Sequence, residues 1–153
     1  MASVCTPVSV VTALDDGRPH GTTVSAFCSL SLKPPMIVVC LDRRSTLLEI
    51  IRATGCFGVN VLSSDAARSA LAFATKGEHK FDGVEWSLDR DLPRLSAAAG
   101  WVACSGALLV DGGDHVVVMG SVVRAESMAG RPLTYYQREF GTHTPLPRPI
   151  DAF

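Results

Sequence analysis

Alternating polar and apolar positions open the chain. Val8 to Leu14 and Thr22 to Leu32 read as two strands, and Asp15-Asp16-Gly17-Arg18-Pro19 between them has the composition of a tight turn, which predicts a hairpin. Side chains of an extended chain alternate between faces. In the second run Thr23, Ser25, Phe27, Ser29 and Ser31 therefore share one side, and Val24, Ala26, Cys28, Leu30 and Leu32 share the other. The hydroxyl side reads either as a surface facing a ligand or as a Ser-rich outer face. After Pro34-Pro35, the run Met36 to Leu41 is short, unbroken and β-branched, which predicts a strand buried on both faces. It ends in the charged turn Asp42-Arg43-Arg44-Ser45.

The period then changes. Thr46 and Glu49 fit a capping box, Leu47, Leu48, Ile50 and Ile51 supply an apolar stripe, and Gly55 a left-handed stop, so a helix is expected over residues 47–54. Cys56 to Leu62 is strand-like. Ser63-Ser64-Asp65 offers N-caps for a second helix through about Thr75, with Lys76 in its last turn and Gly77 beyond. Phe81 to Trp86 is a polar connection. Trp101 to Val110 and His115 to Ala125 are strands, with Asp111-Gly112-Gly113-Asp114 as their turn. Pro145, Pro147 and Pro149 exclude regular structure from 142–153. Six or more strands against two short helices predict a β-rich domain, a small closed or split antiparallel barrel.

A chain of 153 residues fits one domain. Its formal charge of −1 gives no electrostatic footprint for nucleic acid or an anionic membrane. No signal-like or membrane-spanning stretch is visible, so a soluble, cytoplasmic protein is expected. Hydrophobic content of 47% with 19% charged residues favours a homodimer. Cys5, Cys28, Cys40, Cys56 and Cys104 are odd in number and lack CxxC spacing, which predicts reduced core thiols and no metal site. Neither G-x-G-x-x-G nor a P-loop occurs.

Several segments taken in order resemble one family. They are Gly21 to Phe27 with Ser29, Ser31 and Pro34-Pro35; Cys40 to Ser45; Phe57-Gly58-Val59-Asn60-Val61-Leu62; Lys80 to Trp86; and Gly113-Asp114-His115. Together they are similar to the flavin reductase family, the small reductase components of two-component flavin monooxygenases, over about Val8 to Gly141. The resemblance implies an FMN-binding, Greek-key split barrel over residues 1–141 with a tail at 142–153. It also implies an NAD(P)H:flavin oxidoreductase that takes FMN or FAD, with NADH or NADPH as hydride donor, and supplies reduced flavin to a separate monooxygenase.

Carried onto this chain, the resemblance has Thr23, Val24, Ser25, Ala26, Phe27 and Ser29 lining the ring and ribityl chain. Cys40, Leu41 and Asp42 lead to Ser45, which with Arg43 or Arg44 holds the phosphate. Asn60, Val61 and Leu62 touch the far ring edge, Lys80 and Phe81 close over the flavin, and His115 faces the nicotinamide. A helix N-terminus at Ser45 would favour an anion by about 0.3–1 kcal/mol, although both arginines also read as plain surface charges. His115 after Gly-Asp reads alternatively as a local turn residue, and Trp86 and Trp101 as core or interface anchors. Relatives usually carry a helix ahead of the first strand, where this sequence has Met1 to Pro7. Gly120-Ser121-Val122 stands where many have an acidic residue, which leaves nicotinamide preference open. A flavin carrier without turnover, or an FMN-dependent oxidase of the pyridoxamine-phosphate oxidase type, are the rival readings.

Overall fold

The computed structural model describes residues 2–146. In chain order the elements are β1 (Thr6–Pro7), β2 (Ser9–Asp15), β3 (Arg18–Val24), β4 (Phe27–Leu32), β5 (Pro35–Asp42), α1 (Thr46–Thr54) and β6 (Phe57–Leu62). There follow α2 (Ala67–Ala74), β7 (Trp86–Asp89), β8 (Leu92–Leu95), β9 (Ala98–Gly112), β10 (His115–Ser127), β11 (Leu133–Tyr136) and β12 (Glu139–Thr142). Seven strands form one antiparallel sheet in the order β3-β2-β6-β9-β10-β5-β4. Its edge strands β3 and β4 are consecutive in the chain, so the sheet rolls until Ser25-Ala26 joins its two edges. This is the expected split barrel.

The barrel interior is filled by Val11 and Ala13 of β2, Val24 of β3, Ile37, Val39 and Leu41 of β5, Phe57 and Val59 of β6, and Val116 and Val118 of β10. Leu47, Leu48, Ile50 and Ile51 of α1 join the same core, which is the apolar stripe read from the sequence. Burying four such side chains stabilises the fold by about 1.5–3 kcal/mol each. A second cluster packs α2 (Ala70, Phe73) against Val8, Val10, Leu62 and Leu95. Trp101, fully buried, lies over Gly58, where an added Cβ would come within 2.3 Å of the indole. It is a core residue, as expected, while Trp86 is half-buried against Phe81.

Several expectations are corrected. Thr22 to Leu32 is not one strand: Ser25 is a bend, and the two halves pair with different neighbours, β3 with β2 and β4 with β5. A register shift between Ser29 and Ser31 breaks the hydroxyl alternation further. β5 is buried on one face and half-buried on the other, because its second face is not covered by a helix layer. The capping box at Thr46 does not form: the helix begins there, and Ser45 is the N-cap, with no side-chain cap bond. α2 starts at Ala67 rather than beside Ser63, whose hydroxyl turns to Asp65 and the Ala97 carbonyl. Cys5 and Cys28 are exposed rather than core residues. The β7–β8 hairpin and the three-stranded sheet β1-β11-β12 were not foreseen. Thr142 closes β12, and 147–153 of the expected tail lie outside the described residues.

Candidate functional site

Where the rolled sheet is joined by chain instead of a ladder, a groove of about 230 Å³ opens. It is lined by Thr22, Thr23, Val24, Ser25 and Ala26 on one side, Cys40, Leu41 and Asp42 on the other, and by Ser45 and His115 at its end. Each wall follows from topology. β3 leaves the sheet at Val24, and the Cys40 amide donates to the Ala26 carbonyl at 3.0 Å, which fixes the link beside β5. β5 pairs with β10 so that Asp42 faces His115 across the ladder. α1 begins immediately after Ser45, so the N-cap residue of the helix lies in the groove lining, an arrangement suited to an anion.

The groove's polar groups are partly committed within the chain. Thr23, which lines the groove, donates its hydroxyl to the Ala70 carbonyl of α2 at 2.6 Å, so that hydroxyl is already committed within the chain. Asp42 receives Nε of Arg44 at 3.2 Å, Nη2 at 3.1 Å and the Arg44 amide at 2.8 Å. Those bonds hold its carboxyl down at about 2. His115 Nδ1 lies 2.8 Å from Asp114 Oδ1, and this bond keeps the Asp114 carboxyl below its ordinary range. With the carboxylate ionised, Nδ1 carries the proton and donates, which leaves Nε2 as the ring nitrogen available to a ligand. Arg43 donates from Nε to the Gly113 carbonyl at 2.6 Å and pairs through Nη2 with Asp111 at 3.0 Å. Three carboxylates thus stand against two guanidiniums around the groove's end.

A family described as flavin reductase like domain matches residues 1–144. The chain belongs to this family. It is 38% identical, over 90% of its length and 75% of the relative's, to the reductase component of 4-nitrophenol 4-monooxygenase/4-nitrocatechol 2-monooxygenase from Rhodococcus opacus. It is 36% identical, over 92% of its length and 76% of the relative's, to a flavin reductase (NADH) from Kitasatospora aureofaciens. Among solved structures it is similar to the NADH:FAD oxidoreductase SgcE6 of Streptomyces globisporus C-1027 in complex with NAD and FAD fragments. There the TM-score is 0.89 at 28% identity, over 94% of this chain and 88% of the other.

Within this flavin reductase fold, the expected site residues separate into two groups. Thr23, Val24, Ser25, Ala26, Cys40, Leu41, Asp42, Ser45 and His115 converge on the groove. Arg43 and Arg44 are adjacent to it but turned onto Asp111, Gly113 and Asp42. Phe27 packs against the barrel core, and Ser29 lies exposed on the edge strand. Asn60 and Leu62 are fully buried, and Val61 is half-buried beside them on β6. The Asn60 amide is spent on the Val10 and Pro93 carbonyls, Thr12 Oγ1 and the Leu95 N–H, so it holds β8 onto the sheet and does not reach the groove.

Lys80 and Phe81 lie on the α2 side of β3. Lys80 Nζ donates to the Gly21 and Phe73 carbonyls, both at 3.2 Å, and burial lowers its pKa. Phe81 packs edge-on against Phe73. Residues that sequence reasoning missed are Thr22, which lines the groove beside Thr23, and Asp114, which orients His115. Both stand in the quoted segments Gly21 to Phe27 and Gly113-Asp114-His115, next to residues that were named, but no role was given to either.

Proposed function

We propose that this chain is an NAD(P)H:flavin oxidoreductase that releases reduced FMN or FAD to a separate monooxygenase. One observation carries the reading: in a chain of this family, the Ser25-Ala26 link, the β5 end, the α1 N-cap and His115 meet in one groove. Relatives named as reductase components and as NADH- or NADPH-dependent flavin reductases support it.

The residues present suit such ligands. Ser45 keeps its hydroxyl free of helix capping, so with the first amides of α1 it can receive a phosphate. The segment 22–26 offers a wall of mixed polar and apolar groups beside which an isoalloxazine can lie, and His115 Nε2 can accept a hydrogen bond from a nicotinamide placed over it. When bound, a reduced nicotinamide supplies hydride and the flavin accepts it. The transfer needs parallel rings about 3–3.5 Å apart and exclusion of water, not a catalytic triad. The chain's task is to hold this geometry.

Weak binding fits the groove's electrostatics. Each arginine is already neutralised by a carboxylate, so a phosphate gains little net charge. Micromolar affinity, with release at roughly 1–10 s⁻¹, is compatible with export. A groove of about 230 Å³ is also smaller than the ~300–1,000 Å³ of pockets that enclose a whole ligand.

We infer a homodimer as the source of the missing enclosure. The outer face of the sheet is apolar across four strands, through Leu108 and Val110, Val117 and Met119, Val38 and Cys40, then Cys28. Leu108 is 58% exposed and Val110 51%. Cys40 belongs to both this face and the groove. A second copy seated there would cover apolar surface and wall the ligand together. No helix among the described residues is long and apolar enough to cross a membrane. We place the protein in the cytoplasm, the compartment that keeps thiols reduced.

Anaerobic stopped-flow with excess FMN or FAD and either nicotinamide tests the proposal. Bleaching of the flavin over many turnovers is expected. Binding without bleaching by NADH or NADPH would leave a carrier or an oxidase instead.

A further inference from the structure

We propose that Arg43 is a positioning residue that ties the His115 hairpin to the turn preceding α1, and is not a ligand of the flavin phosphate. This rests on the flavin reductase reading above. The two halves of that site come from two turns: residues 42–45 deliver Ser45 and the helix end, and Gly113-Asp114 delivers His115. The β5–β10 ladder ends at the pair Asp42 and His115. Beyond that pair strand registry no longer controls how the turns sit.

Arg43 takes over at that point, with three bonds that all land on the β9–β10 hairpin. Its amide donates to the Asp114 carbonyl at 3.1 Å. Its Nε donates to the Gly113 carbonyl at 2.6 Å, and its Nη2 lies 3.0 Å from Asp111 Oδ1. A guanidinium grips a phosphate best through two parallel N–H donors. The Nε/Nη2 edge of Arg43 is the one laid along the hairpin, so its side-on grip is already occupied and only the Nη1 end is left uncommitted. Arg44 uses its corresponding edge on Asp42. Anion recognition is thereby left to Ser45 and the α1 amides, while Arg43 sets the height of the Gly113-Asp114 turn and, through the adjacent residue, of the imidazole.

The consequence is a separation of two properties that a phosphate ligand would link. Arg43→Ala, measured in the full chain, is expected to raise the nicotinamide concentration for half-maximal flavin bleaching, or slow bleaching, by about three- to tenfold, the range for losing one partly exposed brace near a reacting pair. The ratio of FMN to riboflavin affinity stays as in the wild type. Arg43→Lys recovers little, since a single ammonium cannot reach both the Gly113 carbonyl and Asp111. Asp111→Asn gives part of the same defect and adds nothing on top of Arg43→Ala. If Arg43→Ala does not fold, the Asp111→Asn variant carries the same comparison.

Selective loss of FMN relative to riboflavin in Arg43→Ala would overturn the proposal and make Arg43 a phosphate ligand. Unchanged donor dependence would overturn it too, leaving Arg43 a solvated charge. A wild-type protein that neither NADH nor NADPH can use to bleach flavin would sink the reductase reading itself, and the FMN-to-riboflavin ratio would still decide whether Arg43 touches phosphate.

Discussion

His115 and Asp42 are direct cross-strand partners at the last rung of the β10–β5 ladder, and both line the groove. Neighbours so placed have Cβ atoms about 4.5–5.5 Å apart. The imidazole is therefore anchored by sheet registry on one side and by Asp114 on the other. Replacing His115 by Ala should slow hydride transfer by about ten- to a hundredfold, the scale of a lost orienting contact near the reacting atoms, while flavin affinity is retained. Single-turnover bleaching rates beside flavin titrations check this; an unchanged bleaching rate would remove His115 from the site.

Asp42 should make stability fall in acid. Its folded-state pKa, about 2, lies below the ordinary value of 3.8, chiefly because Arg44 hydrogen-bonds the ionised form. The stabilisation is complete above 3.8 and disappears as the pH drops toward 2. Melting temperatures of the wild type and Asp42→Asn should differ at pH 6, approach each other below pH 3.8 and converge only below about pH 2; a gap that persists unchanged in acid would contradict the assignment.

The buried Asn60 amide is expected to matter more for folding than for ligand binding. Truncation to Ala leaves the Leu95 N–H and the Val10 carbonyl without this partner inside the fold. A buried unsatisfied group costs about 1–3 kcal/mol. Urea unfolding of Asn60→Ala should show a loss of about 2–4 kcal/mol, allowing for more than one stranded group. Flavin affinity that collapses without a change in stability would instead put Asn60 in the site.

Gly120 has no room for a methyl group. A Cβ there would sit 2.6 Å from two atoms of the Phe57 ring and 2.8 Å from the Cys104 Cβ. Both residues are at most 1% exposed, so neither can swing into solvent. Gly120→Ala should cost about 1–3 kcal/mol as an overpacked core. Phe57→Leu in the same chain should recover part of that loss in the urea midpoint, and additive destabilisation would count against direct contact.

Local pattern revealed much of the architecture because most elements bury one face. The stripe Leu47, Leu48, Ile50, Ile51 and the stop at Gly55 define α1, and the Gly113-Asp114 turn splits two long strands. What escaped was nonlocal. Nothing in Thr22 to Leu32 reports that the strand changes partners at Ser25, since alternation is a property of one chain and pairing is a property of two. Asn60 reads like a polar contact for a ligand, yet its partners Pro93 and Leu95 are more than thirty residues away. Arg43 looked free for a phosphate because its acceptors, Asp111 and the Gly113 carbonyl, come from a distant hairpin, whereas the partner of Arg44, Asp42, is only two residues away. The groove's composition was legible, and the commitments of its side chains were not.

The Ser25-Ala26 link gives the barrel a hinge line. Along every other junction of the large sheet, separating two strands means breaking a ladder of paired residues, whereas here the segment is pinned to β5 by the Cys40–Ala26 backbone bond. A bulky planar guest can thus be admitted by a small local breathing of this line while the α1-filled interior stays shut. Amide hydrogens of residues 25 and 40 should accordingly exchange with solvent well before those of β9, and slow when the groove is filled.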